Sequence, residues 1–219
     1  MIASELISHS LAPLKTSDSG EEALTIMNIY HVKHLPIVNY EMLLGLISED
    51  EIMAKDLDEP IGSYGLSLNN AFVKSSDHLF EVMSRLAEFN LSVIPVVDQE
   101  ENYMGMITQE DLLQFYANSF SFTEHGGILV LEMNRIDYSL AEIARIAEAE
   151  NVTILSTFLT TNPDTTKVYV TIKINQQDIQ NLIATFERYD YTIKASFTED
   201  TYLEDLKDRY DALMSYLNV

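Results

Sequence analysis

An internal repeat limits the folds open to this chain more than any other feature of its sequence. The segment LKTSDSGEEALTIMNIYHVKHLPIV, which begins at Leu14, aligns with VKSSDHLFEVMSRLAEFNLSVIPVV, which begins at Val73. Matched residues lie 59 positions apart: Lys15 and Lys74, Asp18 and Asp77, Pro36 and Pro95, Val38 and Val97. The offset then grows by one residue at Gly45 and Gly105, as a hairpin loop of variable length would produce. Because neither copy can bury an apolar sheet face alone, the two copies are expected to pack together.

Each copy has the local pattern helix, strand, strand, helix, behind a short extended segment (APLK or AFVK). In the first copy, SDSGEEALTIMNIY begins with capping residues and early acids. The apolar face of this predicted helix consists of Ala23, Ile26, Met27 and Tyr30. The runs LPIVN and MLLGLI are rich in branched residues, so they are predicted to be strands joined by the turn NYE. SEDEIMAKDL then returns to helical spacing.

These residues resemble the pattern of CBS domains, which pair to form a Bateman module. In that family a strand begins hydrophobic-Pro-hydrophobic-Val, and Gly-hydrophobic-hydrophobic-Ser/Thr-x-x-Asp/Asn leads into a closing helix. The second copy matches through IPVVD and GMITQED, and the first through LPIVN and GLISEDE, where Glu51 takes the place of the aspartate. The resemblance covers roughly residues 1–120 and implies one CBS repeat over 1–60 and a second over 61–122.

The C-terminal third has a different pattern after SFSFTEHGG, a predicted linker with its break at Gly126 and Gly127. Predicted elements are the strand GILVLEMNRI, the helix SLAEIARIAEAEN, the strands VTILSTFLT and KVYVTIKIN around the turn TNPDTT, the helix DIQNLIATFERYD and the strand YTIKASFTE. The apolar stripe of the first helix is predicted to be Leu140, Ile143, Ala144 and Ile146. The order βαββαβ predicts a ferredoxin-like α+β domain over 127–219. It ends in an amphipathic helix with Tyr202, Leu206, Tyr210, Leu213 and Leu217 in phase.

This order of elements resembles the ACT domain, a small-molecule-binding or dimerisation module. The family's first turn reads Asp-x-Pro-Gly-x-Leu, and the matching residues run from Arg135 to Leu140, with Tyr138 in place of the glycine. Because that glycine lets a ligand approach the backbone closely, Tyr138 argues against amino-acid binding. A CBS pair followed by an ACT-like part resembles the acetoin-utilisation-type CBS proteins. Since both resembled families commonly self-associate, the resemblance implies a homodimer.

The resemblance to CBS domains also implies sites for an adenosine-type ligand. In that family a phosphate binds at the N-terminus of the closing helix, a carboxylate one turn later accepts both ribose hydroxyls, and the base inserts against the proline-containing strand. Carried onto this sequence, the preferred site has Ser75, Ile94, Pro95, Val96, Thr108 and Asp111. The other site has Thr16, Leu35, Pro36, Ile37, Ser48 and Glu51, and Glu51 is one methylene longer than the expected aspartate.

A purely structural interpretation of two of these motifs stays open. Ser48-x-x-Glu51 fits the capping box, in which a hydroxyl and a carboxylate satisfy the first N–H groups of a helix, and Thr108-x-x-Asp111 approximates it. The same helix N-terminus could present its N–H groups and dipole to a phosphate. The sequence therefore allows capping, ligand binding or both at each position.

Charge and composition exclude several functions. With 13 Lys and Arg against 35 Asp and Glu, the net charge of -22 disfavours nucleic acids and anionic membranes as partners. It also disfavours a polyphosphate, so adenosine, AMP or S-adenosylmethionine is expected to bind more readily than ATP. No cofactor is required, and no metal is expected, because the chain lacks Cys and His31-x-x-His34 has no evident third ligand. Without a signal sequence or an apolar run of about 18 residues, the chain is expected to be soluble and cytoplasmic.

Two functions remain at this point. The first is a regulatory sensor, in which an adenosine-type ligand binds between the CBS copies and the ACT-like part acts through the homodimer. The second is an interaction module that regulates a partner enzyme or transporter without any small ligand, which the departures at Tyr138 and Glu51 favour. No recognisable catalytic motif occurs in the sequence, so we expect the chain not to be an enzyme.

Overall fold

The structure of the protein is a computed structural model that describes residues 1–8, 10–65, 71–161 and 166–198, together with 214 and 216. The chain divides into two compact units, Met1–Phe115 and Tyr116–Val219. The predicted terminal helix, with its apolar stripe from Tyr202 to Leu217, lies outside the described residues. Among the helices that the structure describes, none combines the length and apolarity needed to cross a membrane.

The first unit contains both copies of the repeat in the predicted order, apart from the last residues of the closing helix of the second copy, which belong to the second unit. The first copy consists of α1 (Gly20–Ile29), β1 (His34–Asn39), β2 (Met42–Ser48) and α2 (Glu49–Met53). The second consists of β3 (Val73–Lys74), α3 (Leu79–Glu88), β4 (Val93–Val97), β5 (Tyr103–Thr108) and α4 (Gln109–Ser119). This mixed α and β architecture confirms the predicted helix, strand, strand, helix unit. The helix α2 has only five residues, so it is shorter than the spacing in SEDEIMAKDL suggests.

The hairpins of the two copies match in detail. Strands β1 and β2 pair antiparallel with a register shift after Ile37, and β4 and β5 pair antiparallel with a shift after Val96, the equivalent residue. The connection between the strands is longer in the second copy, which explains why the repeat offset grows by one residue. Tyr30 was predicted on the apolar face of α1, but it is exposed. It caps the C-terminus of α1, and the chain then turns through His31 with φ 52°.

Packing joins the two copies into one body. The buried cluster of the first copy, which includes Leu14, Leu35 and Ile47, continues into Val93 and Met106 of the second. The N-terminal residues cross to the second copy as well, because the Ala3 N–H donates to the Asp77 carbonyl at 2.9 Å and the Ser8 N–H to the Met106 carbonyl at 2.8 Å. Apolar burial across the repeat boundary therefore makes the copies interdependent.

The second unit has the predicted order βαββαβ. Its elements are β6 (Ile128–Asn134), α5 (Leu140–Ala149), β7 (Ile154–Thr161), β8 (Lys167–Ile174), α6 (Gln180–Arg188) and β9 (Thr192–Phe197). The four strands form one antiparallel sheet in the order β7-β8-β6-β9. Alternate residues of β6 and β8 form the core with side chains of α5 and α6, and Phe186 is the largest fully buried side chain.

The buried face of α5 differs from the prediction at two positions. Leu140 and Ala144 are exposed, whereas Ile143, Ile146 and Ala147 are buried. Ser139 caps the helix by accepting the Glu142 N–H, so Leu140 is the first helical residue, where its side chain is exposed. Tyr138, at the place of the ACT-family glycine, has φ -68° and ψ 118° and packs against the core. This backbone conformation suits any residue, so no glycine is required there.

Candidate functional site

Thr108 and Asp111 form a reciprocal cap at the start of α4. The Thr108 hydroxyl donates to Asp111 Oδ2 at 2.5 Å, and the Thr108 N–H donates to the same oxygen at 3.1 Å. In return the Asp111 N–H donates to Thr108 Oγ1 at 3.0 Å. Because α4 continues for eleven residues, it has a well-developed helix dipole at this end.

Ser48 and Glu51 repeat this arrangement at the start of α2. The Ser48 hydroxyl and the Ser48 N–H each donate to Glu51 Oε2 at 2.7 Å, and the Glu51 N–H donates to Ser48 Oγ at 3.3 Å. Capping is therefore confirmed at both motifs. The extra methylene of Glu51 still lets its carboxylate reach the cap. The five-residue length of α2 gives this terminus a weaker dipole than that of α4.

A cavity of about 250 Å³ lies against the Thr108 cap. We call it the Thr108 cavity, and both copies of the repeat contribute to it. The second copy provides Ser92 and the first turn of α4, and the first copy provides the N-terminal segment and the end of α1. Its lining residues are Ser8, Ser10, Leu11, Tyr30, His31, Val32, Ser92, Thr108, Gln109, Glu110, Asp111 and Gln114.

A second cavity, of about 460 Å³, lies against the Ser48 cap and is also composite. The first copy provides the cap, and the second copy provides the end of α3 and Ser92. Its lining residues are Lys33, His34, Ser48, Glu49, Asp50, Phe89, Asn90, Ser92 and Gln109. The repeat explains the relation between the two cavities, because Tyr30 and His31 of one correspond to Phe89 and Asn90 of the other. We call this the Ser48 cavity.

The structure places the other predicted site residues elsewhere. The six residues of the two proline-containing strands are buried, and none is among the described residues that line the two cavities: Leu35, Pro36, Ile37, Ile94, Pro95 and Val96. Ser75 lies at the far end of β4 from Thr108, since the Ser75 N–H donates to the Val97 carbonyl whereas Thr108 pairs with Val93. Thr16 uses its carbonyl to accept the Gly62 N–H at 2.9 Å.

Reasoning from the sequence missed the part that the opposite copy plays in each cavity. Each predicted site was assembled within one copy, whereas Tyr30, His31 and Val32 of the first copy lie in the cavity of the Thr108 cap. Ser92 and Gln109, which line both cavities, were also missed. The repeat offset contained a signal, since the equivalent residues Tyr30 and Phe89 each line the cavity at the cap of the opposite copy.

The electrostatics of the cavities are acidic with few cations. Glu110 and Asp111 line the Thr108 cavity, where His31 is the one described side chain that can carry a positive charge. Glu49 and Asp50 line the Ser48 cavity beside Lys33 and His34. In the part of the chain that the structure describes, no group of three or more His, Asp or Glu side chains is arranged to hold a metal ion.

Comparisons with curated proteins find relatives that are much longer than this chain. The chain is 23% identical over 118 residues to homoserine O-acetyltransferase from Methanococcus vannielii, and the match covers 51% of this chain and 24% of that enzyme. It is 24% identical over 115 residues to homoserine O-acetyltransferase from Methanohalobium evestigatum, covering 50% of this chain and 23% of the enzyme. The chain therefore spans about a quarter of the length of these relatives.

Solved structures that match part of this chain include a CBS domain pair/ACT domain protein from Thermotoga maritima. It has a TM-score of 0.48 and 20% identity, over 54% of this chain and 98% of that one. A Vibrio cholerae protein assigned to acetoin utilization has a TM-score of 0.49 and 18% identity, over 56% of this chain and 95% of that one.

A family model described as the CBS domain matches this chain twice, at residues 3–58 and 65–118. Together the two matches cover half of the chain. They coincide with the two copies of the repeat seen in the sequence and with the two hairpin units of the fold. The chain therefore belongs to the CBS domain family and carries two CBS domains in tandem.

Proposed function

We propose that the chain is a cytoplasmic regulatory protein that binds an adenosine-type ligand in the Thr108 cavity. The observation that supports this proposal most strongly is the composite lining of that cavity. A hydroxyl, a carboxylate and the N-terminus of an eleven-residue helix come from the second copy, and Tyr30 and His31 come from the first. A ligand in this position touches both CBS domains at once.

The cap supplies the chemistry that a nucleoside phosphate needs. The N-terminus of α4 favours a phosphate through its dipole. The Gln109 N–H already donates to the Ser92 carbonyl and the Asp111 N–H to Thr108 Oγ1, so a phosphate that accepts from them has to replace those bonds. The Asp111 carboxylate can accept hydrogen bonds from two ribose hydroxyls, and the Tyr30 ring offers a surface on which a base could stack. Because Asp111 Oδ2 already accepts from Thr108, a bound ribose has to share or replace that hydrogen bond.

Size and charge favour a small ligand with few phosphates. The Thr108 cavity of about 250 Å³ lies below the usual range of ligand pockets, about 300 to 1,000 Å³. Glu110 and Asp111 repel a polyphosphate, and His31 alone among the described lining residues can offset that charge. Adenosine and AMP therefore fit this cavity better than ATP does.

Ligand binding becomes regulation when the ligand prefers one arrangement of the two CBS domains. A preference of about 100-fold shifts the equilibrium between two arrangements by about 2.7 kcal/mol. We propose that the βαββαβ unit is a ferredoxin-like ACT-type domain that transmits or stabilises this change through a homodimer. Residues 1–60, 61–122 and 127–219 would then be the three functional parts of the chain.

A thermal-shift titration tests the proposal. Purified protein is heated with adenosine, AMP, ADP, ATP with and without Mg²⁺, or S-adenosylmethionine. At a concentration 100 times its dissociation constant, a ligand of the native state stabilises it by about 2.7 kcal/mol. We expect a saturable shift with AMP or adenosine that is lost in Asp111→Ala and kept in Glu51→Ala, which removes the equivalent cap of the first copy. A flat response to every compound would contradict the proposal and favour the ligand-free interaction module.

A further inference from the structure

The two CBS domains are joined by hydrogen bonds between His34, at the start of β1, and Ser92, just before β4. The Ser92 N–H donates to His34 Nδ1 at 3.2 Å, and Ser92 Oγ lies 3.2 Å from the same nitrogen. The Lys33 N–H donates to Ser92 Oγ at 2.8 Å. We call these three residues the copy junction.

The donors of the copy junction determine the protonation state of His34. A backbone N–H can only donate, so His34 Nδ1 has to be an unprotonated acceptor toward Ser92. Ser92 Oγ accepts from the Lys33 N–H and keeps both a second lone pair and its own hydrogen, so the Ser92 amide rather than the hydroxyl determines the role of Nδ1. The geometry therefore requires a neutral imidazole whose proton is on Nε2.

The copy junction is bonded directly to the closing helices of both domains. The Glu49 N–H, at the first residue of α2, donates to the Lys33 carbonyl at 3.0 Å. The Gln109 N–H, at the first residue of α4, donates to the Ser92 carbonyl at 3.0 Å. The copy junction therefore contacts the first residue of α2 and the first residue of α4 directly, so a change at His34 or Ser92 can affect both closing helices.

We propose that the copy junction is a proton-sensitive contact, which neutral His34 holds together and protonated His34 breaks. A proton on Nδ1 places an N–H donor against the Ser92 N–H donor, and that hydrogen bond is lost. The Nδ1 proton can turn only to Ser92 Oγ, which has one lone pair left beside the Lys33 N–H, so the hydrogen bond that is lost is the one from the Ser92 amide. Acidification consequently loosens the contact between the two CBS domains beside both cavities. This inference does not depend on whether a nucleotide binds.

The surroundings of His34 both raise and lower the pKa of its imidazole. Burial lowers the pKa of His34, Glu51 and Asp50 on α2 raise it, and Lys33 lowers it again, with a net result below the ordinary value. Glu49 also lines the cavity on this side. Among the described lining residues, those that the second domain contributes on this side are all neutral: Phe89, Asn90, Ser92 and Gln109. At neutral pH the copy junction is therefore intact, and it is lost as the pH falls below the usual range of histidine.

Nuclear magnetic resonance of the full chain tests the inference without any ligand. Nitrogen-15 shifts of the histidine rings report the tautomer, and we expect His34 at about pH 7.5 to carry its proton on Nε2. On acidification the Ser92 amide should titrate together with the His34 ring. Its protection against hydrogen exchange, corrected for the intrinsic rate, should fall about five- to tenfold, which corresponds to one hydrogen bond.

Two variants show whether the pH response of the Ser92 amide comes from His34 or from another histidine. His34→Asn keeps an oxygen acceptor near the position of Nδ1 but cannot be protonated, so the Ser92 amide should stay protected across the same pH range. His78 also accepts a backbone N–H at Nδ1, from Phe80 at 3.2 Å, but within its own helix cap. His78→Asn should therefore leave the pH response of Ser92 unchanged. An Nδ1-protonated His34, or a Ser92 response that persists in His34→Asn, would overturn the inference.

Discussion

Thr108 and Asp111 bind each other in both directions, since the Thr108 hydroxyl donates to Asp111 Oδ2 at 2.5 Å and the Asp111 amide donates to Thr108 Oγ1 at 3.0 Å. The same side chains line a cavity that both CBS domains form. Helix capping and the ligand binding that we propose would thus depend on one pair of residues. A variant at either position has to be examined for stability before its effect on binding can be interpreted.

Removing the hydroxyl of either cap should destabilise the protein to a similar degree. Thr108→Ala and Ser48→Ala each leave the first N–H groups of a helix without their side-chain acceptor. We expect each change to lower the free energy of unfolding by about 1 kcal/mol. Urea denaturation followed by circular dichroism measures this loss. If Thr108→Ala unfolds at the same urea concentration as the unchanged protein, the cap contributes nothing to the fold.

Gly105 should not tolerate a larger side chain, because the N-terminal segment packs directly against it. A Cβ at Gly105 would lie 2.3 Å from Ile7 Cγ2, well inside van der Waals contact. We expect Gly105→Ala to lower the free energy of unfolding by about 1 to 3 kcal/mol, measured by urea denaturation.

The double variant Gly105→Ala with Ile7→Ala identifies the source of that loss. Removing Cγ2 of Ile7 relieves the overlap, so the double variant should be more stable than the two single changes predict when added. Simple additivity would show that the N-terminal segment does not cross the second CBS domain as the structure describes.

Acid should weaken the second unit partly through Glu132. The Lys167 ammonium bonds to Glu132 and lowers the pKa of its carboxyl, and Lys194 lies 3.7 Å away on the other oxygen. A lowered pKa in the folded state gives stability that is present above the ordinary glutamate value and is lost as the pH falls through the lowered one. Stability should therefore decline between about pH 5 and about pH 3.

Glu132→Gln tests this contribution, because the amide cannot be protonated in this range. The variant should be less stable than the unchanged protein at neutral pH but should lose less stability on acidification, as measured by urea denaturation at several pH values. Parallel pH profiles for the two proteins would contradict a role for Glu132. Glu148→Gln, on the exposed face of α5, is a matched control that should keep the full acid response.

Local patterns in the sequence predicted the elements and the caps well. The recurrence of Pro36 and Pro95 indicated two copies, and the spacing of Ser48 and Glu51 predicted a capping box that the structure contains. The capping box depends on residues within one turn of chain, and the repeat is found by aligning the sequence with itself, so both can be recognised without knowing any tertiary contact.

Contacts between distant segments could not be predicted in the same way. Tyr30 lines the Thr108 cavity because the two domains pack against each other, and no local pattern near Tyr30 reports this. The pairing of His34 with Ser92 has the same origin, since the two residues are 58 positions apart. Ala147 instead of Ala144 is buried in the core of the second unit, because the sheet and α6 determine which face of α5 is covered and periodicity alone does not.

Isothermal titration calorimetry of AMP into the full chain tests the central claim most directly, with Asp111→Asn and Glu51→Gln measured alongside. Asparagine keeps an acceptor for the Thr108 cap but removes the charge that ribose hydroxyls would bind. We expect saturable binding of one AMP per chain, an affinity reduced about tenfold or more in Asp111→Asn, and an unchanged affinity in Glu51→Gln. Absence of binding, or equal affinity in all three proteins, would contradict an adenosine site at Thr108 and Asp111.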